Sequence, residues 1–409
     1  MIIFLKKVRV KTIFSTFEPV IVEPLELCYL KTVLNNMNVE NYIIDELFGL
    51  NVPSNLIPDV VVLTGYNVAE NEIINEARAY KKKYPLAKII VGGVHIQGNS
   101  NVFHTEGIDY VCDTQSLDTF RILIENIFNG DDSIVEETNT LYENEHIIPD
   151  RSLFKQFSNK LRYLEKRNVA LIKGSIGCPY NCSYCYCKLL NNGHYVKADY
   201  EKMITEMEGI TADYFWIVDD VLFASRNDAM EFIEIIKRKS LTLKIIAYLR
   251  ADFILREKDL LSELKAAGIT EVIVGFEATS NDELNKYEKT TNALDYPEVI
   301  SLLKENKIDL SALFMVTPDY EIKDFKNLYK FIKINNIDIY TISILTPIKG
   351  TKDYELLKDK LLTHDPKKFD FLHLVLKPKL PKWLFYIMFY GVHIRLLKSK
   401  RVWKFILRK

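Results

Sequence analysis

The chain has 409 residues, of which 48% are apolar and 27% are charged, and its formal net charge is −1. This is the composition of a folded globular protein, so disorder, collagen and low-complexity fibres are excluded. The length suggests two or three domains at roughly 150 residues each, and the near-zero charge argues against a general nucleic-acid binder.

The first third of the chain alternates strand and helix patterns. Strands are predicted over residues 8–14, 42–45, 59–64, 88–94 and 107–113. Helices are predicted from Glu23 onward, across Ile73 to Tyr84, and over 117–128. Continuous apolar runs such as 59–64 are typical of strands buried on both faces. The pattern therefore predicts an α/β fold whose first domain, residues 1–130, is a doubly wound parallel sheet.

Residues 131–167 are polar, and we interpret them as an irregular linker packed against both neighbours. The alternation then restarts, with strands beginning near Asn168, Asp213, Leu243, Glu271, Ile308 and Ile337. Six strand–helix units are too few for an eight-unit barrel, so we predict a partial (β/α)6 TIM-type barrel over 168–355. The remainder, 356–409, is predicted to be a helical extension rich in basic and aromatic residues.

Four of the six cysteines fall within ten residues, at positions 178, 182, 185 and 187. Clustered thiols in a large cytoplasmic chain indicate metal or redox chemistry rather than disulfides. Three thiolates at this spacing can reach one iron–sulfur cluster and leave one iron open. A zinc site normally needs a fourth protein ligand. Cys187 could supply it only with strain, so its role stays open.

The loop from Gly177 to Cys185 follows a predicted strand and precedes the partial barrel. In this context, Cys-x3-Cys-x2-Cys with an aromatic residue before the last Cys resembles the radical S-adenosylmethionine (SAM) superfamily. The resemblance implies that Cys178, Cys182 and Cys185 bind a 4Fe–4S cluster, which cleaves SAM to a 5′-deoxyadenosyl radical. It also implies that Tyr184 lies near the adenine, and that a flavodoxin-type or ferredoxin-type protein donates the electron. A structural zinc knuckle is the alternative.

Polar side chains follow several predicted barrel strands at the end where barrel enzymes place function. The resemblance implies that four of them line SAM: Asp219, Asp220, Arg250 and Glu277. Carboxylates there can accept hydrogen bonds from the amino group or the ribose, and an Arg can pair with the SAM carboxylate. The alternative is that these residues cap helices or satisfy loop groups.

The segments 58–64, 84–95 and 107–111 resemble the cobalamin-binding domain of cobalamin-dependent radical SAM enzymes, and the whole resemblance covers about residues 5–355. It implies contacts to cobalamin from Thr64, Gly92, Gly93, Val94 and His95. His95 could equally cap a helix. The chain has 112–116 in place of the family's Gly-Glu-Gly-Glu-like turn, and it has no D-x-H-x-x-G signature.

The last 33 residues, 377–409, contain ten Lys or Arg and no acid, which leaves 44 basic against 55 acidic residues elsewhere. Aromatics among cations suit a membrane interface or an anionic, lipid-like substrate, and we favour this interpretation for 395–409. For 383–390 we favour a helix that packs its aromatic face on the barrel. Contact with an RNA backbone is a weaker alternative, and no specific nucleic acid is expected.

The start of the chain places its apolar run before its charges, the reverse of a signal peptide. The longest uncharged apolar stretch near the end, 383–394, has 12 residues, whereas a spanning helix needs about 20. We therefore expect a cytoplasmic protein, at most peripheral to a membrane.

Together these patterns predict a cobalamin-dependent radical SAM methyltransferase that acts on an unactivated carbon of a small or lipid-like molecule held between the two domains. One alternative keeps the radical step but leads to ring closure, oxidation or rearrangement. Another is a non-enzymatic metal-binding or cobalamin-binding module. The sequence does not identify the substrate.

Overall fold

The computed structural model describes residues 1–11, 18–113, 116–131 and 147–407, without the side chains of Asn191 and Asn192. Its strands are β1 (Ile2–Lys7), β2 (Val20–Ile21), β3 (Glu40–Ile44), β4 (Val60–Thr64), β5 (Lys88–Gly92), β6 (Tyr110–Cys112), β7 (Arg162–Tyr163), β8 (Lys166–Arg167), β9 (Val169–Ile172), β10 (Tyr214–Ile217), β11 (Ile245–Tyr248), β12 (Ile269–Glu277), β13 (Asp309–Val316) and β14 (Ile339–Ile344). Its α-helices are α1 (Leu25–Asn36), α2 (Glu70–Lys83), α3 (Val94–Gln97), α4 (Leu117–Phe128), α5 (Tyr200–Glu208), α6 (Arg226–Lys239), α7 (Ala251–Arg256), α8 (Leu261–Ala266), α9 (Asn281–Lys286), α10 (Tyr296–Glu305), α11 (Ile322–Ile334), α12 (Lys352–Leu357), α13 (Lys382–His393) and α14 (Lys400–Leu407).

The N-terminal sheet has five parallel strands in the order β3-β1-β4-β5-β6. All five residues of β4 are buried, as the apolar run 59–64 predicted. The strand order reverses between β1 and β4. In an open α/β sheet, ligands bind beyond the carboxyl ends of the strands at such a reversal.

The first strand lies earlier than predicted. Its residues are Ile2–Lys7, whereas the strand predicted over 8–14 is wrong for residues 8–11, and 12–17 lie outside the described residues. The run Ile3, Phe4 and Leu5 is fully buried between β3 and β4. Burial on both faces therefore selects this apolar run over the β-branched residues that follow it.

The C-terminal sheet has six parallel strands in strictly sequential order from β9 to β14. Helices separate the strands, and their apolar faces form the largest buried cluster of the chain's described part. The six strands begin within two residues of the predicted positions. The α/β class with parallel sheets is confirmed.

The segment between the two sheets is less irregular than predicted. Residues 132–146 lie outside the described residues, but β7 and β8 form a hairpin that pairs with β2 in a small antiparallel sheet. Arg151 binds both units, since its guanidinium contacts Glu23 beside α1 and donates to Glu206 of α5 over 2.6 Å. Glu23 also accepts a hydrogen bond from the backbone N–H of Leu171 in β9.

The chain after β14 covers the edge of the C-terminal sheet. The side chains of Phe385, Phe389 and Val392 in α13 are buried, and the hydroxyl of Tyr340 in β14 donates to the carbonyl of Val392 over 2.8 Å. In the part of the chain that the structure describes, no helix is both long and apolar enough to cross a bilayer.

Candidate active site between the two sheets

One cavity of about 830 Å³ lies where the carboxyl ends of the two sheets meet. Residues from the end of β4 and β5 line one side, and the cysteine loop and the ends of β9 to β12 line the other. Parallel strands place all their carboxyl ends along one edge, so both sheets direct their strand-following loops into this space.

The cysteine loop leaves β9 and runs along the cavity. Cys178, Cys182, Cys185 and Cys187 all line it and are partly buried. The loop is fixed from outside, because Ser183 donates its N–H to the carbonyl of Tyr287 and accepts at its carbonyl from the N–H of Asp353. The three predicted cluster ligands therefore share one wall of the cavity.

The local environment shifts the pKa values of the thiols in different directions. Burial raises the pKa of Cys178 to about 11 and also raises the pKa of Cys182. A hydrogen bond from Cys187 lowers the pKa of Cys185. Among the residues described, no three His, Cys, Asp or Glu side chains could hold a single metal ion. Thiolates that each bind a different iron of one cluster do not need to converge in that way.

The two carboxylates after β10 have different surroundings. Asp219 is fully buried and accepts the backbone N–H groups of Gly174 (2.7 Å) and Ser175 (2.8 Å), so it fixes the start of the cysteine loop. Burial raises its pKa. Asp220 accepts from the thiol of Cys187 at one oxygen, while its other oxygen is buried with no partner in the described structure. Both residues line the cavity, and SAM binding by them stays a prediction.

Arg250 is held between its neighbours. It pairs with Asp252 (2.9 Å), donates to Thr290 (2.9 Å), and lies 3.6 Å above the ring of Tyr180. Tyr180 belongs to the cysteine loop, so Arg250 stabilises the loop's conformation through a cation–π contact. Its predicted pairing with the SAM carboxylate is not tested by these contacts.

Glu277 ends β12 with a left-handed backbone (φ 62°), which is rare for a residue with a side chain and is typical of functional sites. Its carboxylate pairs with Lys289 over 3.0 Å. Lys289 also donates to the carbonyl of Gly275, and a Cβ on Gly275 would lie 2.4 Å from Glu277. Burial, and then the charge of Glu277, raise the pKa of Tyr184 beside it.

On the opposite wall, Thr64 ends β4 and faces the turn after β5. Gly93 adopts φ 114°, and a Cβ there would lie 2.5 Å from the hydroxyl oxygen of Thr64. Thr64, Gly92, Gly93 and Val94 all line the cavity. At Gly92 and Gly93 the turn has no side chain, so a flat ligand can approach the backbone closely there.

His95 is placed differently from the other four residues predicted to contact cobalamin. Its ring contacts Glu70 at 2.8 Å, and Glu70 also pairs with Lys349 of the C-terminal unit (3.1 Å). His95 is not among the residues that line the cavity in the described structure. Its observed contacts, with Glu70 and with the ring of Phe103, lie within the N-terminal unit, and Glu70 makes the contact to the C-terminal unit.

The sequence did not reveal several wall residues. A floor of aromatic and aliphatic side chains comes from the interior of the C-terminal sheet: Leu171, Trp216, Tyr248, Ile273 and Leu313. In the sequence they look like ordinary strand residues. Only the alternation of side chains between the two faces of each strand could have assigned them to the inner face. Lys289 lies in a loop with no strand end to mark it.

Residues 172–332 match the model of the radical SAM superfamily. The chain contains a radical SAM domain. The match begins at the end of β9 and includes the cysteine loop and most of the C-terminal sheet, so the predicted resemblance is confirmed.

Two curated relatives extend the similarity of this radical SAM domain protein. The hopanoid C-3 methylase of Methylococcus capsulatus is 26% identical over 347 residues, which cover 80% of this chain and 66% of the relative. The anaerobic magnesium-protoporphyrin IX monomethyl ester cyclase of Cereibacter sphaeroides is 28% identical over 218 residues, 52% of this chain and 36% of the relative. The chain thus spans between about a third and two thirds of these relatives' length. Both relatives are named for enzymatic activities.

Two solved structures share the fold over most of this chain. The radical SAM methyltransferase TsrM from Kitasatospora setae, solved with tryptophan and a SAM analogue, matches 96% of this chain and 88% of its own with a TM-score of 0.71 and 16% identity. The cobalamin-dependent radical SAM enzyme OxsB, solved with aqua-cobalamin, matches 88% of this chain and 55% of its own with a TM-score of 0.65 and 18% identity. Both strengthen the assignment of the two-sheet fold.

Proposed function

We propose that this protein is a cobalamin-dependent radical SAM methyltransferase that methylates an unactivated carbon of a small or lipid-like substrate. The observation that carries the proposal is that one cavity receives both the cysteine loop and the ends of both sheets. A methyl donor on one wall and a hydrogen-abstracting group on the other can then reach the same substrate atom. When bound, the cluster with SAM supplies the radical, and cobalamin supplies the methyl group.

The residues present fit a three-thiolate cluster. Cys178, Cys182 and Cys185 share a wall, and hydrogen bonds and the Arg250 stack hold the loop that carries them. Because burial raises the pKa of two of these thiols in the free protein, loading releases protons as thiolates form. Cys187 donates to Asp220, so we assign it no iron.

The turn after β5 fits a corrin. Gly93 has no side chain in a position where a Cβ would strike Thr64, and Gly92 and Val94 continue the same backbone surface. The site also lies beside the strand-order reversal between β1 and β4, where open sheets bind ligands. We therefore assign Thr64, Gly92, Gly93 and Val94 to the cobalamin side.

Polar groups between the two walls can orient SAM. The partnerless oxygen of Asp220 in the described structure is a buried acceptor suited to an ammonium or hydroxyl donor. The ion pair with Lys289 holds the carboxylate of Glu277 in place. A ligand hydroxyl that donates to this carboxylate can therefore bind only at a defined position. Asp219 would affect SAM binding only indirectly, because both of its carboxylate oxygens already accept hydrogen bonds from the backbone of the cysteine loop.

The aromatic floor supports an apolar substrate. Trp216 and Tyr248 stack with ring centroids 6.3 Å apart, and Trp216 packs on Tyr163 at 4.8 Å. Such a surface binds hydrophobic groups and excludes water from the cavity. The indole N–H of Trp216 is buried without an acceptor in the described structure, so one polar substituent on the substrate could bind there.

A second candidate is radical ring closure without methyl transfer. It is favoured by the similarity to the magnesium-protoporphyrin monomethyl ester cyclase. Methylation adds one CH2 to the substrate and consumes two equivalents of SAM, whereas ring closure adds no carbon. The product mass therefore separates the two candidates.

Two partners complete the proposal. An electron donor of the flavodoxin or ferredoxin type would deliver the electron that the radical step needs. The basic segment 377–409 would make peripheral contact with a membrane, which would bring a lipid-like substrate close to the enzyme.

The test is anaerobic purification and reconstitution with iron, sulfide and hydroxocobalamin, followed by metal analysis and an absorption spectrum. We expect one cobalt and about four irons per chain, and release of 5′-deoxyadenosine from SAM under reductant. Iron without cobalt would remove the methylcobalamin route and leave the radical step. A colourless protein that contains zinc would refute both.

A further inference from the structure

Helix α13 presents two apolar faces rather than one. Phe385, Phe389 and Val392 are buried against the C-terminal sheet and its helices. A second set is exposed, with between 50% and 66% of each residue accessible: Trp383, Ile387 and Tyr390 in α13, and Ile394 and Leu397 in the 3-10 helix that follows it. Because a helix turns about 100° per residue, these spacings of three and four put the second set on the side opposite the first. We name it the docking face.

The docking face is surrounded by cations. Of the ten basic residues in 377–409, Arg401 is committed to Glu165 and Glu271, and Lys379 to Glu321. By contrast, Lys382, Lys398, Lys400 and Lys404 are exposed and form no ion pair within the described part of the chain. Trp403, Ile406 and Leu407 extend the exposed apolar surface onto α14.

This combination identifies the chemistry of the occupant. Trp and Tyr at the edge of an apolar stripe suit the headgroup level of a bilayer, and lysines around it suit anionic lipids. A second copy of the chain fits poorly, because a twofold interface would bring the same unneutralised lysines together. The surface that binds the docking face should therefore have negatively charged groups on the outside and an apolar layer below them.

We infer that the docking face binds an anionic lipid bilayer, with α13 lying in the plane of the interface and α14 beside it. This specifies the membrane contact proposed above, and it depends on neither metal nor radical chemistry. Phe385, Phe389 and Val392 keep the helix attached to the sheet while the opposite side inserts.

The experiment is co-sedimentation of the full chain with vesicles of phosphatidylcholine alone or mixed with phosphatidylserine. We expect binding to the mixed vesicles that weakens strongly at about 1 M salt, where the Debye length is about 3 Å. The triple variant Trp383→Ser, Ile387→Ser, Ile394→Ser should bind at least about tenfold more weakly, because three side chains that enter the apolar layer are lost.

The matched control is Ile57→Ser, Leu86→Ser, Leu294→Ser, which removes three apolar side chains elsewhere on the surface that are at least as exposed. It should bind like the wild type. Circular dichroism checks that both triple variants are folded, and a Cys178→Ala variant should bind vesicles normally even though it fails the metal test. Absence of vesicle binding by the wild type, or a wild-type dimer that the docking-face variant dissociates, would overturn the inference.

Discussion

At the scale of single residues, Gly93 is the most constrained position on the cobalamin side of the cavity. Its φ is 114°, and a Cβ added to it would lie 2.5 Å from the hydroxyl oxygen of Thr64, so a side chain does not fit there. We expect Gly93→Ala to lower the free energy of unfolding by about 1–3 kcal/mol, since strained backbone costs that much. Cobalt content after reconstitution should fall with it, while iron content stays unchanged.

Gly391→Ala is the control for this prediction. Gly391 lies in α13, and a Cβ added there would have nothing within 4 Å, so Ala should stabilise the helix by about 0.5–1 kcal/mol. Urea unfolding of the two variants measures both changes. Equal cobalt content in Gly93→Ala and wild type would count against the assignment of this turn to cobalamin.

The four thiols of the loop offer an internal comparison. We expect Cys182→Ala to lose most of its iron on reconstitution, because a cluster with two protein ligands is released readily. Cys187→Ala should retain iron, because we assign that thiol no iron and its contacts are hydrogen bonds to Asp220 and Cys185. Iron and sulfide analysis distinguishes the two variants, and loss of iron from Cys187→Ala alone would reverse the assignment.

Sequence patterns reveal some residues of this site and hide others for a physical reason. The cysteines are visible because cluster ligation fixes their spacing along one loop. Lys289 and Trp216 are invisible because their roles arise from contacts across the sheet, with Glu277 and with Tyr163. The spacing of residues along the chain does not predict such contacts.

At the scale of elements, α14 is attached to the amino end of the C-terminal sheet through Glu271 of β12. This carboxylate is fully buried and contacts Lys166, Arg401 (2.7 Å) and Ser311 (2.6 Å). Burial tends to raise its pKa, but the charges of Arg401 and Lys166 outweigh burial and lower the pKa of Glu271 below its ordinary value.

A carboxyl group with a lowered pKa stabilises the fold above its unfolded value of about 4.3, and that stability is lost as the pH falls further. Glu271→Gln should therefore cost about 1–3 kcal/mol at neutral pH, because Lys166 and Arg401 each lose one of their carboxylate partners. The difference from wild type should shrink in acid. Urea unfolding at about pH 7 and about pH 3 measures it, since the contribution is lost only below the unfolded pKa of about 4.3.

The control is Glu298→Gln, which breaks the exposed pair with Lys258. Exposed pairs contribute about 0–1 kcal/mol, so this variant should resemble the wild type at both pH values. If Glu271→Gln were as stable as Glu298→Gln at neutral pH, the anchoring of α14 by this carboxylate would be wrong.

Elements were predictable where burial imposes a repeating pattern. Strands β9 to β14 and helix α4 follow the sequence patterns closely. The hairpin of β7 and β8 was missed because each strand has only two residues, and a tertiary partner, β2, determines their conformation. The aromatic residues of α13 were assigned to one face, whereas the structure divides them between two.

At the scale of the whole molecule, Arg151 joins the two units by contacting Glu23 and Glu206. Burial opposes its charge, but Glu23 and Glu206 outweigh burial and raise the pKa of Arg151. Arg151→Met should cost about 3–5 kcal/mol, since two buried carboxylates lose their guanidinium. Unfolding should then separate into two transitions.

Arg121→Met provides the comparison, because Arg121 is exposed and pairs with Asp118 and Glu125 of its own helix. Its effect should stay within about 1 kcal/mol, with a single transition. Differential scanning calorimetry of both variants tests this. A single transition at wild-type temperature in Arg151→Met would contradict the bridging role.

If the cluster and cobalamin share one cavity, electron paramagnetic resonance detects their proximity. In protein reconstituted with both and then reduced, the reduced cluster should speed the relaxation of the Co(II) signal. In Cys182→Ala that effect should disappear while the Co(II) signal remains. A Co(II) signal whose relaxation is the same with and without the cluster would place the two groups far apart and contradict the account.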